Sequence, residues 1–320
     1  MSDDGLSFDR IKAAAARLEG VANRTPLLAS SALDRHCGAE VVLKPEPFQR
    51  SGSFKFRGAY NRLSQLSPAA IEAGVVAFSS GNHGAAVALA AQILGIKAIV
   101  VAPATGSAAK LAAIESYGAQ LRRYDPATES REQVAEEIAA THSMTLVRPF
   151  DDYDIMAGQG TAGLELVEQA PELKRVLVPV GGGGLAAGVS TAVKALIPGA
   201  SVIGVEPEAA DDTSQSLRAG HRVRIGEPQT IADGLRASEP GELTFAINSQ
   251  QLDDVVTVTE EAIVEAMRYC FTQFKVVVEP SGAVALAALL SGMTEATGPT
   301  GVVLSGGNIT PEDFAALVAR

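Results

Sequence analysis

One lysine in this chain has aromatic neighbours on both sides. In the segment QRSGSFKFRGAYNRL, Lys55 stands between Phe54 and Phe56, just after Ser51, Gly52 and Ser53. A lysine at the surface would carry its charge past such rings into water. In an apolar setting the same amine loses its proton more easily, as an imine-forming amine must. A second segment, RVLVPVGGGGLAAGVSTAVKAL, reads as strand, glycine turn and helix. Gly181, Gly182, Gly183 and Gly184 carry no side chains. Their N–H groups can therefore close on an anion at the positive end of the following helix. That arrangement suits a phosphate, and two phosphorylated ligands meet it. The run GGGGLA matches the G-x-G-x-x-A form of the dinucleotide fingerprint, and Glu206 ends the next strand, where an acid could bind a ribose. A nicotinamide reading, however, leaves Lys55 without a purpose and puts the fingerprint past the middle of the chain. Pyridoxal phosphate uses both a lysine and a phosphate site.

Further short motifs surround these two. SGSFKFRGA, SSGNHG, AGQGT, GGGGL, GVEPEAADD, IADGL, VEPSGA and LSGGN occur in that order. Together they resemble the serine/threonine dehydratase and serine racemase family, which includes hydroxyaspartate dehydratases and has the tryptophan-synthase-β type of fold. The resemblance runs from about residue 20 to about residue 310. It implies a fold type II pyridoxal phosphate enzyme: two doubly wound sheet domains with the cofactor between them.

The resemblance also implies roles for particular residues. Lys55 is expected to carry the cofactor and act as the base on one face, with Phe54 packed beside the ring. Gly181 to Gly184 and Leu185 are expected to hold the phosphate by their N–H groups. Asn82 is expected at the phenolic oxygen of the cofactor, and Ser79, Asn82 and His83 around the substrate carboxylate. Read without the family, His83 is simply a residue at a helix start. Ser80 matches the serine that relays a proton on the opposite face in racemases of this family, which makes racemisation possible. Ser305 of LSGGN is expected at the pyridine nitrogen. A neutral hydroxyl there makes the ring a weaker electron sink than a carboxylate would, which favours loss of a β-substituent once the α-proton has gone. Glu206 and Asp212, with the carbonyl of Ala210, match the positions that hold a divalent ion in metal-activated members, and an oxygen-only set suits Mg²⁺ or Ca²⁺. The alternative is an ordinary acidic turn.

The activity implied is an ammonia-lyase (dehydratase) that converts a hydroxy-amino acid to a 2-oxo acid and ammonia. Threonine and serine are the default substrates, and 3-hydroxyaspartate competes with them. Arg148 in LVRPFDD, or Arg50, could pair with a second carboxylate, although arginines more commonly form structural salt bridges. A serine or aspartate racemase with side dehydratase activity is the alternative. A homodimer is expected from the resemblance only.

These residues need a scaffold of alternating elements. Strands are expected at 40–44, 75–79, 97–103, 119–124, 144–147, 175–180, 201–206, 254–259 and 301–305. Most are continuous apolar runs of the kind buried on both faces of a parallel sheet. Helical patterns such as HGAAVALAAQILG, SREQVAEEIAATH and LAAGVSTAVKALI lie between them, giving an α/β architecture. Ser53 is placed to cap a helix through GAYNRL. Residues 67–152 read as a small mobile domain, and 1–66 with 153–320 as a larger cofactor-binding one. In the 320-residue chain, 47% apolar and 20% charged residues indicate a soluble globular protein. A net charge of −11 with no basic cluster argues against nucleic acid. Two distant cysteines, Cys37 and Cys270, give no disulfide framework, and no apolar run reaches membrane-spanning length. A cytoplasmic setting is expected.

Overall fold

The computed structural model describes residues 5–319. Ten strands form two sheets: β1 (Leu28–Ala29), β2 (Val41–Pro45), β3 (Val75–Phe78), β4 (Ala98–Pro103), β5 (Gln120–Tyr124), β6 (Thr145–Val147), β7 (Arg175–Pro179), β8 (Ser201–Pro207), β9 (Asp254–Val258) and β10 (Thr300–Leu304). Six of them make one sheet in the order β1-β2-β10-β7-β8-β9, and four make the other in the order β5-β4-β3-β6. All pairs are parallel except β1 with β2. The nine expected strands are all present. The two-residue β1 was not foreseen, being too short to leave a pattern.

Helices cover both faces of the larger sheet, which explains its unbroken apolar strands. One face packs on the helices Glu260–Tyr269 and Pro280–Leu290, through Met267, Val284 and Leu286 among others. The other face packs on Tyr153–Gln169 and Gly184–Leu196, through Leu166, Val189 and Val193. The smaller sheet buries Val75, Ala77 and Val100 against the helices Lys55–Leu63 and Asn82–Leu94. Each such valine contributes about 1.5–3 kcal/mol when fully buried. Among the described residues, no helix is long and apolar enough to cross a membrane.

Three helices meet backbone to backbone, and glycines allow it. A Cβ at Gly158 would lie 2.4 Å from the carbonyl of Arg57, and one at Gly160 would lie 2.8 Å from that of Gly188. The AGQGT motif therefore lets one helix touch both the Lys55 helix and the helix that follows the glycine loop. A buried ionic network adds a second anchor. Arg57 donates to Glu46 at 2.7 Å and to Glu165 at 2.6 Å, and Lys44 donates to Glu165 at 2.7 Å. Two cations face two carboxylates, so the cluster is neutral, and burial is compensated by pairing.

Candidate active site

Parallel strands point their C-terminal ends the same way, and ligand sites form there. In the larger sheet β10 lies between β2 and β7. This order sets three loops side by side: the Lys55 segment beyond β2, LSGGN after β10, and the glycine loop after β7. The main chain ties the first two together. Phe54 N–H donates to the carbonyl of Ser305 at 3.1 Å, and Ser53 bridges to Gly306.

Lys55 is the first residue of its helix. Ser53 does not cap it. The N-cap is Phe54 with no side-chain bond, and the Ser53 hydroxyl is buried without a partner. The extended backbone at Ser53 serves the bridge to Gly306 instead. The Lys55 ammonium donates to the carbonyl of Pro149 at 2.6 Å and lies 5.1 Å from the centre of the Phe54 ring. Burial lowers its pKa from 10.5 to about 8.

The glycine loop is held from behind. Thr244 Oγ1 donates to the carbonyl of Gly182 at 2.8 Å, and Asn248 Nδ2 to that of Gly183 at 3.1 Å. Both donors stand on the helix Glu242–Gln251. In a trans peptide the N–H points opposite to the carbonyl, so the N–H groups of Gly183 and Gly184 face away from that helix. Gly183 has a φ of 87°, where a side chain is strained, and Gly184 and Leu185 open the helix Gly184–Leu196. Phe150 closes the loop on one side: a Cβ at Gly182 would lie 2.3 Å from its ring. The next residue, Asp151, accepts N–H bonds from Leu243 at 2.9 Å and from Glu242 and Thr244 at 3.2 Å. This carboxylate caps the very helix that braces the loop. Nothing in the sequence pattern pointed to Pro149, Phe150 or Asp151, since the order of residues does not show which carbonyl or ring a fold brings near.

SSGNHG follows β3 and opens the helix Asn82–Leu94. Ser79 Oγ accepts the N–H of Gly81 at 3.1 Å, and Ser80 is partly exposed. A Cβ at Gly84 would lie 2.3 Å from the carbonyl of Ser79, so this tight turn requires glycine. The His83 ring is buried and donates from Nε2 to the carbonyl of Val147 at 3.0 Å. Burial first, and the Lys55 charge second, push its pKa down to about 3. The ring is thus neutral and committed to Val147, which leaves the N–H groups of the turn as the donors for an anion. Asn82 donates to Glu279 at 2.6 Å and accepts from Asn308 at 2.7 Å. Ser305 is buried, and its hydroxyl donates to the carbonyl of Ser281 at 3.3 Å.

Arg148 is not brought into this group. Its main chain lies between the two carbonyls that meet His83 and Lys55, and its guanidinium is half exposed, 3.6 Å from Glu136. It lines a cavity of about 410 Å³ with Arg10, Arg62 and Tyr153, none of them an expected site residue. Arg50 is also exposed. Glu206 is the last residue but one of β8, deep in the protein. Its carboxylate accepts N–H bonds from Thr213 at 3.0 Å and Ser214 at 2.9 Å. Asp212 is buried nearby with both carboxylate oxygens unpartnered, and Ala210 is buried between them in sequence. Burial raises both acids to about 8, with Asp212 adding to the effect on Glu206. Among the described residues no three His, Cys, Asp or Glu side chains converge for a metal.

A buried amine of lowered pKa, a braced glycine loop at a helix start and a second helix start on the other sheet define a class: an enzyme for a phosphorylated carbonyl cofactor and an anionic substrate. The amine, which faces no carboxylate, suits the aldehyde, and the glycine loop, in which added Cβ atoms would collide, suits the phosphate. Pyridoxal phosphate therefore fits the residues present. The model of a family described as "Pyridoxal-phosphate dependent enzyme" matches residues 18–306, and the chain belongs to that family. It is 45% identical to an L-threo-3-hydroxyaspartate ammonia-lyase from Pseudomonas sp, over 98% of either chain. It is 41% identical to a serine racemase of Schizosaccharomyces pombe, over 100% of both. Maize serine racemase superposes with a TM-score of 0.93 at 40% identity, covering 96% of this chain and 95% of the other. The two-domain fold type II architecture and the ammonia-lyase class expected from the motifs both agree with these relatives, and the nicotinamide alternative does not.

Proposed function

We propose that the protein is a pyridoxal phosphate-dependent ammonia-lyase that converts a hydroxy-amino acid, with 3-hydroxyaspartate and threonine or serine as the candidate substrates, to a 2-oxo acid and ammonia. The observation that carries the reading is the buried Lys55 amine, which no carboxylate neutralises, on the same side of the sheet as the braced glycine loop. When bound, the cofactor supplies an aldehyde that combines with amines and an electron sink for the α-carbon.

Each expected residue then has a task. Lys55 Nζ would hold the cofactor and, as a free amine, would take the α-proton of the substrate; burial holds its pKa at about 8, so more of it is unprotonated near neutral pH than of an exposed lysine. The N–H groups of Gly181 to Leu185 hold the phosphate, and Phe54 packs beside the ring. The turn at Ser79, Asn82 and His83 receives the substrate carboxylate, in which His83 uses its main-chain N–H. Asn82 meets the phenolic oxygen, and Ser305 meets the ring nitrogen as a neutral partner. Residues 67–152 close over the substrate, while 1–66 and 153–320 hold the cofactor. Two copies form a homodimer in the cytoplasm.

A second reading, a serine or aspartate racemase, is favoured by Ser80. It sits partly exposed in the same turn, and the chain is 41% identical to a serine racemase against 45% to an ammonia-lyase. Chiral chromatography after incubation separates the two. The purified holoenzyme should absorb near ~410–420 nm, as expected for a lysine imine of this cofactor. It should release ammonia from 3-hydroxyaspartate, threonine or serine, and Lys55→Ala should lose both properties. A colourless, fully active wild type would sink the reading.

For Glu206, Asp212 and the Ala210 carbonyl we propose a Mg²⁺ or Ca²⁺ site. The support is the pair of unpartnered Asp212 oxygens beside a second buried carboxylate. Added Mg²⁺ or Ca²⁺ should raise the melting temperature of wild type and not of Asp212→Asn; an equal rise in both would remove the site.

A further inference from the structure

Glu279 and Asn308 lie outside every residue that the sequence motifs assign to cofactor or substrate, yet both bond Asn82. Glu279 Oε1 accepts from Asn82 Nδ2 at 2.6 Å, while Asn308 Nδ2 donates to Asn82 Oδ1 and to the carbonyl of Ser51, each at 2.7 Å. A primary amide has two N–H donors and one carbonyl. Here the carbonyl and one N–H are taken. A flipped amide would set its NH₂ against that of Asn308, which the Ser51 carbonyl holds in place, so that bond would be lost; the Glu279 bond would be lost as well whenever that carboxyl is ionised. One orientation remains, with one N–H unspent.

The partners come from opposite sides. Asn82 starts a helix beside the four-stranded sheet. Glu279 precedes the helix Pro280–Leu290, and Asn308 follows β10 of the six-stranded sheet. Glu279 is buried against Gly306, where an added Cβ would lie 2.3 Å from its Oε1. Space therefore fixes this carboxyl as firmly as hydrogen bonding does. Its pKa is raised to about 8 by burial, with the Asp233 charge adding and Lys110 opposing. Charged or neutral, it keeps an oxygen that accepts from Asn82.

We infer that Glu279 and Asn308 are positioning residues that lock the Asn82 amide across the junction of the two sheets and aim its remaining N–H at the phenolic oxygen of the cofactor. The inference rests on the proposed contact between Asn82 and that oxygen. A donor at the phenolic oxygen favours its ionised, visible-absorbing form, because hydrogen bonding to a charged form stabilises it.

The test compares absorption spectra of holoenzyme variants, with cofactor affinity measured by titrating each apoprotein with pyridoxal phosphate. Asn82→Ala should move absorption from the visible band to the near ultraviolet. Glu279→Leu and Asn308→Ala should do the same and weaken cofactor binding about tenfold, the effect of one lost hydrogen bond of this kind. Glu279→Gln, which keeps an acceptor oxygen, should restore the visible band. The double variant Asn82→Ala/Glu279→Leu should look like Asn82→Ala alone. If Asn82→Ala shifts the band while Glu279→Leu and Asn308→Ala leave it in place, or if the double variant is additive, the positioning role is overturned. If Asn82→Ala itself leaves the band unchanged, the Asn82 contact fails, and the inference with it. Should Glu279→Leu not fold, Asn308→Ala and Glu279→Gln decide the outcome.

Discussion

Replacing Lys55 by methionine should make the cofactor-free protein more stable. Methionine has nearly the length of lysine and no charge. In the fold, burial lowers the Lys55 pKa from 10.5 to about 8. At roughly 1.4 kcal/mol per unit, the charged form is disfavoured by about 3 kcal/mol. The substitution also gives up the bond to the Pro149 carbonyl, worth about 1 kcal/mol. The net gain at pH 7 is about 2 kcal/mol, an upper bound because Lys55 keeps some contact with solvent. The pKa is lower folded than unfolded, so the folded state binds fewer protons. The penalty is therefore whole below about pH 8, shrinks between 8 and 10.5, and is gone above. Urea unfolding of the two apoproteins should show the Lys55→Met midpoint higher by about 0.5–1 M at pH 7. Near pH ~10.5 the order should reverse, since only the lost hydrogen bond then separates the variants. A lower midpoint at pH 7, or a difference that does not change with pH, would refute the claim that this amine is held at a cost to stability.

Other substitutions probe the scaffold. Gly183→Ala places a Cβ at φ 87° and 2.7 Å from Asn248 Nδ2; left-handed strain of about 1–2 kcal/mol and the displaced donor should weaken pyridoxal phosphate binding at least tenfold in a spectrophotometric titration. Asp151→Ala removes the cap from the bracing helix and should lower its stability by about 1 kcal/mol, with a matching rise in the cofactor dissociation constant. Arg57→Met leaves Glu46 without a cation and Glu165 with Lys44 alone; breaking a buried pair costs about 3–5 kcal/mol, visible as a large fall in melting temperature. Arg148→Ala should leave the ratio of kcat/KM for 3-hydroxyaspartate to that for threonine within about twofold, because its guanidinium faces Glu136.

Much of the fold follows from local pattern. Most of the nine strands were legible because a strand covered on both faces must be apolar throughout, and these are β-branched runs between glycines and helices; the edge strand β5, with Gln120, Arg122 and Arg123 exposed, is the exception. Lys55, the glycine loop and SSGNHG were legible because their residue types are rare in such places and costly without a ligand. The carbonyl of Pro149, the Phe150 ring and the Asp151 cap were not. Their neighbours lie up to about 90 residues away in sequence, and a proline, a phenylalanine and an aspartate carry no signal of where they dock.

Lys55 shows the division most clearly. The sequence alone determined that an amine stands between two aromatics and that a glycine loop between a strand and a helix follows later in the chain. Only the tertiary structure decided that they face one another: β10 inserts between β2 and β7, and Gly158 and Gly160 let one helix touch both the lysine helix and the loop helix. Tertiary structure also turned Arg148 toward Glu136 and committed the His83 ring to Val147. The direction of a side chain at the end of a strand is set by packing on both sides of it, and short-range sequence does not encode that packing.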